Sequence, residues 1–160
     1  MILGLTISQF TALHVAISLI AIAAGLIALP AFARGRLLRR TTDIFLWATL
    51  LTSLTGFLFP IVAFTPALGF GILSTLLLIA TFTAYYRRKL AGRAAAVYAI
   101  TATLALYLNM FVLVVQSFLK VPALNALAPS GTEPPFAAAQ GALLIVMAGL
   151  GYLAVRSSRR

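Results

Sequence analysis

Six polar side chains lie inside long apolar stretches, and these are the residues that could contact a ligand. They are His14, Thr55, Ser74, Asn109, Gln116 and Gln140. Imidazole, hydroxyl and amide groups donate and accept hydrogen bonds, and lipid can satisfy none of them. Within a membrane such groups either line a binding site or bond to neighbouring helices. Both interpretations stay open at this point.

Residues able to catalyse a reaction are scarce. The acidic residues are Asp43 and Glu133 alone, far apart in sequence, and neither an H-E-x-x-H nor a G-x-S-x-G motif occurs. The absence of Cys excludes disulfides, thiolate metal sites and iron–sulfur clusters. His14 is the only His, so one chain cannot supply two His ligands to a haem. We therefore expect no enzyme, metal or cofactor, while His14 could be functional or structural.

The composition indicates the environment that positions these residues. Hydrophobic residues make up 62% of the chain and charged residues 9%, whereas soluble domains carry about a quarter charged residues. A membrane-spanning helix needs roughly 20 apolar residues. The sequence predicts an all-α integral membrane bundle, a single domain over residues 1–160 with five transmembrane helices. Their spans are about 10–32, 43–64, 66–86, 94–119 and 136–155, with an outer loop at 120–135.

Basic residues alternate between the connections in a way that predicts orientation. Eleven of the twelve fall in three segments: Arg34, Arg36, Arg39, Arg40; Arg87, Arg88, Lys89, Arg93; and Arg156, Arg159, Arg160. Lys120 alone occupies the other side. The positive-inside rule then places the C-terminus in the cytoplasm and the N-terminus outside, in a bacterial inner (plasma) membrane. No basic segment precedes the first apolar run, so we expect no cleavable signal peptide.

The basic residues also bear on partners. The net charge of +10 would suggest nucleic acid in a soluble protein, but here the charges form short clusters between apolar runs. We expect the lipid bilayer as the main partner and no nucleic acid. Anionic lipids could bind at the clusters. A homo-oligomer or a membrane partner subunit stays open.

Depth within the predicted spans groups the polar residues. His14, Asn109, Gln116 and Gln140 all fall in the outer half, and Asn109 and Gln116 share one helix face at a spacing of seven. The sequence therefore predicts that these four converge on an outer cavity, with Thr55 and Ser74 completing the set. The alternative is hydrogen bonding that holds the helices together.

Three local features carry further expectations. Pro60 should bend the second helix at Gly56, because its ring meets the carbonyl four residues earlier. Asp43 should cap the start of that helix. In the outer loop, Pro122 should open a short helix over 123–128 that could cover the cavity, and Lys120 could pair with Glu133.

Two resemblances follow from particular segments. TSLTGFLFP at 52–60, LYLNMFVLVVQSFLKVPALNALAP at 106–129 and EPPF at 133–136 resemble a group of small bacterial multi-pass membrane proteins without an assigned activity. The size and five-helix architecture are also similar to the translocator protein family. That family is rich in Trp, whereas this chain has only Trp47. The second resemblance therefore implies architecture only, and neither supplies site residues.

Three functions compete on these observations. The first is binding or transport of a small molecule or lipid at the outer cavity. The second is a structural or assembly subunit of a larger membrane complex. The third, an intramembrane cofactor-dependent enzyme, has the least support. The residues do not identify a ligand, a transport direction or an oligomeric state.

Overall fold

The computed structural model describes residues 1–60 and 66–159, and these residues are helical without a β-strand among them. The all-α prediction is confirmed. The helices are α1 (Ile7–Ala33), α2 (Arg39–Gly56), α3 (Pro66–Phe82), α4 (Arg93–Lys120), α5 (Pro122–Leu127) and α6 (Pro134–Ser157). A π-helical turn, Thr83–Arg87, continues α3 and is called the π turn below.

Among the described residues, four helices are long and apolar enough to cross a membrane, which indicates a membrane-spanning protein. By length and composition these segments are Ile7–Ala33, Leu68–Arg87, Arg93–Lys120 and Pro134–Ser157. Thr6 opens the first of them with a capping box, accepting from the Gln9 backbone N–H while the Gln9 side chain accepts from the Thr6 backbone. The short helix predicted in the outer loop is present as α5.

The second predicted span, 43–64, differs from what the structure describes. Helix α2 has 18 residues, about 27 Å at about 1.5 Å per residue, and a bilayer core is about 30 Å thick. Its first turns carry Arg39, Arg40 and Asp43, so the apolar part is shorter still. Residues 61–64 of the predicted span lie outside the described residues.

The predicted bend at Pro60 is wrong, because α2 ends before that residue. Gly56 is the last helical residue, and the Leu58 N–H donates to the Thr55 carbonyl 3.1 Å away, closing a tight final turn. Within a helix, the Pro60 ring would clash with the carbonyl of Gly56. Ending the helix removes that clash without a kink.

Close packing of α1, α2 and α4 forms the centre of the bundle. Phe45, Leu46, Tyr98 and Leu106 are fully buried. A Cβ atom added to Gly25 of α1 would lie 2.8 Å from Leu106 Cδ1 and 2.9 Å from Phe45 Cδ2. Such distances are too short for carbon atoms, so the three helices can meet this closely only because residue 25 has no side chain.

The helices place the basic clusters together at one end of the bundle, called the basic end. There Phe32 of α1 packs against Tyr98 of α4, with ring centroids 4.9 Å apart. At the opposite end Phe118 of α4 packs against Phe136 of α6 at 5.4 Å. The segments around residues 34–40, 87–93 and 156–159 therefore share the basic end, and α5 lies at the opposite end.

Candidate functional site

His14 and Thr55 form a direct pair between α1 and α2 at the opposite end. His14 Nδ1 lies 2.8 Å from Thr55 Oγ1. The Thr55 hydroxyl has one hydrogen and donates it to the Leu51 carbonyl at 2.7 Å. Which of the two atoms donates in the His14–Thr55 bond depends on the imidazole tautomer.

Three more of the predicted residues pair elsewhere in the bundle. Ser53 Oγ of α2 donates to Ser74 Oγ of α3 at 3.2 Å. Asn109 Nδ2 of α4 donates to Thr49 Oγ1 of α2 at 3.4 Å. Gln140 Nε2 of α6 donates to the Phe111 carbonyl of α4 at 3.3 Å. Each bond joins two different helices.

Gln116 is exposed, so the prediction that it faces the bundle interior is wrong. Asn109 is half-buried because it contacts α2 at Thr49. Helices α2 and α4 both run from the basic end to the opposite end. Seven residues after Thr49, α2 reaches its last residue, Gly56, and seven residues after Asn109, α4 reaches Gln116. Nothing in α2 is left to cover Gln116.

The structure therefore places five of the six predicted residues in four separate interhelical contacts, and Gln116 takes part in none that it describes. They do not converge on one site. The contacts satisfy polar groups that lipid would leave unpaired, which is the ordinary structural use of such residues. One atom departs from this pattern, because Gln140 Oε1 is buried without a hydrogen-bond partner.

Two cavities formed by described residues lie at the basic end, and none of the six residues lines either one. The tyrosine cavity, of about 360 Å³, is lined by Leu37, Arg39, Asp43, Tyr85, Tyr86, Lys89 and Leu90. The arginine cleft, of about 500 Å³, is lined by Ala80, Thr83, Ala84, Arg88, Ala91, Arg93, Ala94 and Val97. Both volumes fall within the range of about 300–1,000 Å³ typical of small-molecule sites.

Tyr86 connects two side chains of α2 beside the tyrosine cavity. Its hydroxyl donates to Asp43 Oδ1 at 2.6 Å and accepts from Trp47 Nε1 at 3.2 Å. The prediction that Asp43 caps α2 is wrong, because the helix begins at Arg39 with Leu38 as its cap residue. Asp43 lies one turn inside the helix, where its carboxylate holds α2 to the π turn.

The chain between the two cavities has an unusual backbone. The Arg88 N–H donates to the Thr83 carbonyl at 2.9 Å, five residues back. Lys89 and Leu90 follow with φ of 48° and 59°, in the left-handed region. Residues with side chains are held there at about 1–3 kcal/mol each, and both this strain and π turns are common at functional sites.

Sequence inspection assigned these residues other roles. In the sequence Arg88, Lys89 and Arg93 indicate only orientation, and no motif distinguishes Tyr85 or Tyr86. The tyrosine cavity forms where the start of α2 meets the end of α3, through Asp43 and Tyr86. That juxtaposition joins residues 43 apart, and no spacing within one segment indicates it.

Glu133 at the opposite end bonds to its own loop and does not pair with Lys120. Its Oε1 accepts from the Ser130 N–H at 3.0 Å and from the Ser130 hydroxyl at 2.8 Å, and its Oε2 accepts from the Thr132 N–H at 3.0 Å. These bonds, with the Ser130 backbone first, lower the pKa of Glu133 from 4.5 to about 2. The carboxylate shapes the turn that leads into α6.

No ready metal site exists in the part of the chain that the structure describes, since no three His, Asp or Glu side chains come together there. Comparisons of the sequence with protein-family models and with curated proteins, and of the fold with solved structures, find no match. The chemistry of the basic end is therefore the main guide to function.

Proposed function

We propose that this chain is a five-span bacterial inner-membrane protein that binds a small organic anion in the tyrosine cavity, from the cytoplasmic side. The observation that carries the proposal is the cavity itself. It brings two cations, Arg39 and Lys89, beside a carboxylate that a tyrosine hydroxyl already engages. The net charge of its lining favours an anionic ligand.

The groups lining the cavity suggest how such a ligand would sit. Arg39 and Lys89 would bind a carboxylate or phosphate through charge-assisted hydrogen bonds. Leu37 and Leu90 offer apolar contact to the rest of the molecule. Asp43 would repel a second anionic group, which favours a ligand with one charged end. This is an arrangement for binding, and it needs no cofactor.

The proposed orientation rests on the shared end of the basic clusters. By the positive-inside rule that end is cytoplasmic. The fifth crossing would be made by α2 together with the residues that follow it. Reporter fusions near Arg36 should then be cytoplasmic and fusions near Ser130 external. The reverse pattern would place the cavity outside and contradict the proposal. The bacterial inner membrane is suggested by the resemblance to small bacterial multi-pass proteins.

The outer-half site remains the competing location. It would use His14, Thr55, Ser74, Asn109, Gln116 and Gln140. We favour the basic end because five of those six residues hydrogen-bond across helices, whereas charged groups line the tyrosine cavity.

Trp47 supplies a direct test, because it is the only Trp and bonds to Tyr86 at the cavity. Hexanoate and hexyl phosphate should change its fluorescence saturably, and hexylammonium should not. The double variant Arg39→Gln/Lys89→Gln should lose the response, while Arg34→Gln/Arg36→Gln, which removes equal charge from residues that do not line the cavity, should keep it. An equal response to hexylammonium, or an undiminished response in the first variant, would refute anion binding here.

A second candidate function, an assembly subunit, is favoured by the exposure of α6. Only 11% of its most apolar 18 residues are buried, against 28–39% in the other three candidate spans. Ile145 and Val146 are 74% and 66% exposed. The chain has no Cys, so Val146→Cys allows site-specific cross-linking in native membranes. A specific cross-linked product would support this candidate, and reaction with lipid probes alone would oppose it.

A further inference from the structure

We infer that the arginine cleft binds the headgroup of an anionic phospholipid, with Arg88 and Arg93 contacting its phosphate. This is a second site, on the other side of the π turn from the tyrosine cavity, and it does not depend on what that cavity binds. Residues of α3, the π turn and the start of α4 form it.

The charge of the cleft differs from that of the tyrosine cavity. Two guanidinium groups line it and no acidic residue does. Both acidic side chains of the protein are engaged elsewhere, Asp43 with Tyr86 and Glu133 with Ser130. In the described part of the chain neither Arg88 nor Arg93 forms an ion pair or a side-chain hydrogen bond. A guanidinium group donates two parallel hydrogen bonds to two oxygens of one phosphate, so the cleft is complementary to a phosphate.

The apolar part of the cleft distinguishes a lipid from a free phosphate. Ala80, Ala84 and Ala94 leave a shallow groove between α3 and α4, and Val97 extends it further from the basic end. All four lie within segments apolar enough to cross a membrane. The two arginines lie where those segments end. In a phospholipid the phosphate lies at the membrane surface and the acyl chain lies deeper. One molecule would therefore place its phosphate at the two arginines and its acyl chain in the apolar groove.

The test compares lipids on the purified protein. Added phosphatidylglycerol should raise the thermal unfolding temperature more than phosphatidylcholine, and native mass spectrometry should find it retained. Arg88→Gln/Arg93→Gln should weaken retention by about 30-fold, on the basis of about fivefold for each basic residue. The matched variant Arg156→Gln/Arg159→Gln removes the same charge near the same end, from residues that do not line the cleft, and should retain the lipid.

Two further arms keep the inference falsifiable if the arginine variant folds poorly. Val97→Trp fills the groove and leaves both arginines, so it should reduce retention of phosphatidylglycerol. Glycerol 3-phosphate, which has the phosphate without acyl chains, should not stabilise the protein at the same concentration. Equal protection by glycerol 3-phosphate would overturn the lipid assignment, and equal loss in the Arg156/Arg159 variant would reduce the effect to general charge.

Discussion

Polar side chains have different surroundings at the two ends of the bundle. Toward the opposite end, His14 bonds to Thr55 and Asn109 to Thr49, so polar side chains close on each other between helices. At the basic end, charged side chains surround two cavities. Polar residues in this protein therefore divide into those that hold the helices together and those left available to a ligand.

Depth in the bilayer explains the difference. A polar group surrounded by hydrocarbon has no water to bond with, so an unpaired one is costly and the helices rotate to give it a partner. Lys and Arg at the ends of helices reach the headgroup region, where they are solvated without a protein partner. A binding site needs polar groups that have no protein partner, such as Lys and Arg at the helix ends. Polar residues deep in the spans are instead those that already bond to a neighbouring helix.

The largest effect should come from a change that disturbs both ends. Gly25→Ala places a methyl group within 3 Å of Leu106 and Phe45, which are fully buried. We expect the free energy of unfolding to fall by about 1–3 kcal/mol, the usual range for an overpacked core, and lipid and anion binding to weaken with it. Unfolding in mixed micelles measures this.

Gly149→Ala is the matched control for that prediction. It adds the same methyl group to a helix, where nothing lies within 4 Å. Alanine favours a helix over glycine by up to about 1 kcal/mol, so stability should hold or rise. A Gly25→Ala protein as stable as Gly149→Ala would show that the helices do not meet as closely as described.

The next effect should be confined to the opposite end. Thr55→Val removes the partner of His14, and we expect a loss of stability of about 1 kcal/mol with the Trp47 response to anions unchanged. Thr52→Val is a matched control three residues away, because its Oγ1 is buried with no hydrogen-bond partner, so its removal should be neutral or stabilising. Loss of anion binding in Thr55→Val would move the site to the opposite end.

A smaller effect is expected at Asn109. Its bond to Thr49 is long, at 3.4 Å, and side-chain hydrogen bonds between membrane helices average about 0.6 kcal/mol. Asn109→Leu should therefore lower the unfolding free energy by about that amount and leave ligand binding intact. Abolished binding in a protein that still purifies as a folded bundle would restore the outer-half cavity as the functional site.

The smallest effect concerns the loop before α6. The pKa of Glu133 is lowered from 4.5 to about 2 in the folded protein. Its ionised form therefore stabilises the turn above pH 4.5, and this contribution is lost as the pH falls through about 2. The amide shift of Thr132, followed by NMR, should titrate near pH 2 and should not titrate in Glu133→Gln. A midpoint near 4.5 would mean that the turn does not hold the carboxylate.

Hydropathy predicted the bounds of most of the helices, and the described structure differs from the prediction at one. Helices α4 and α6 begin and end within two residues of the predicted spans, because their flanking charges and prolines coincide with the ends of the apolar runs. In the second run the apolar sequence continues past Gly56, yet the described helix stops there. Hydropathy cannot distinguish helical from non-helical apolar chain, and Pro60 was a sign of termination that we interpreted as a bend.

The candidate site was less predictable than the fold. His14, Asn109 and Gln140 each have a hydrogen-bond partner on another helix, but the choice of partner depends on where the neighbouring helix ends, as Asn109 and Gln116 show. The tyrosine cavity depends on Asp43 meeting Tyr86, and it is lined by Lys89 and Leu90, whose φ values are left-handed. Neither feature has a local sequence pattern.

The π turn has a consequence for how this chain could vary among related sequences. A π turn contains one residue more than the α-helical turn it replaces. Deleting one residue from Thr83–Arg87 would restore a regular α-helical turn and leave the chain beyond it close to its present orientation, because the π turn already accommodates the extra residue. The side chains within the turn would be respaced, so Tyr86 would lose its alignment with Asp43, while the arginines of the cleft would keep theirs. A relative with a one-residue gap at this position should keep the fold and the arginine cleft and lose the Tyr86–Asp43 contact, so an alignment gap there would mark a difference at the tyrosine cavity.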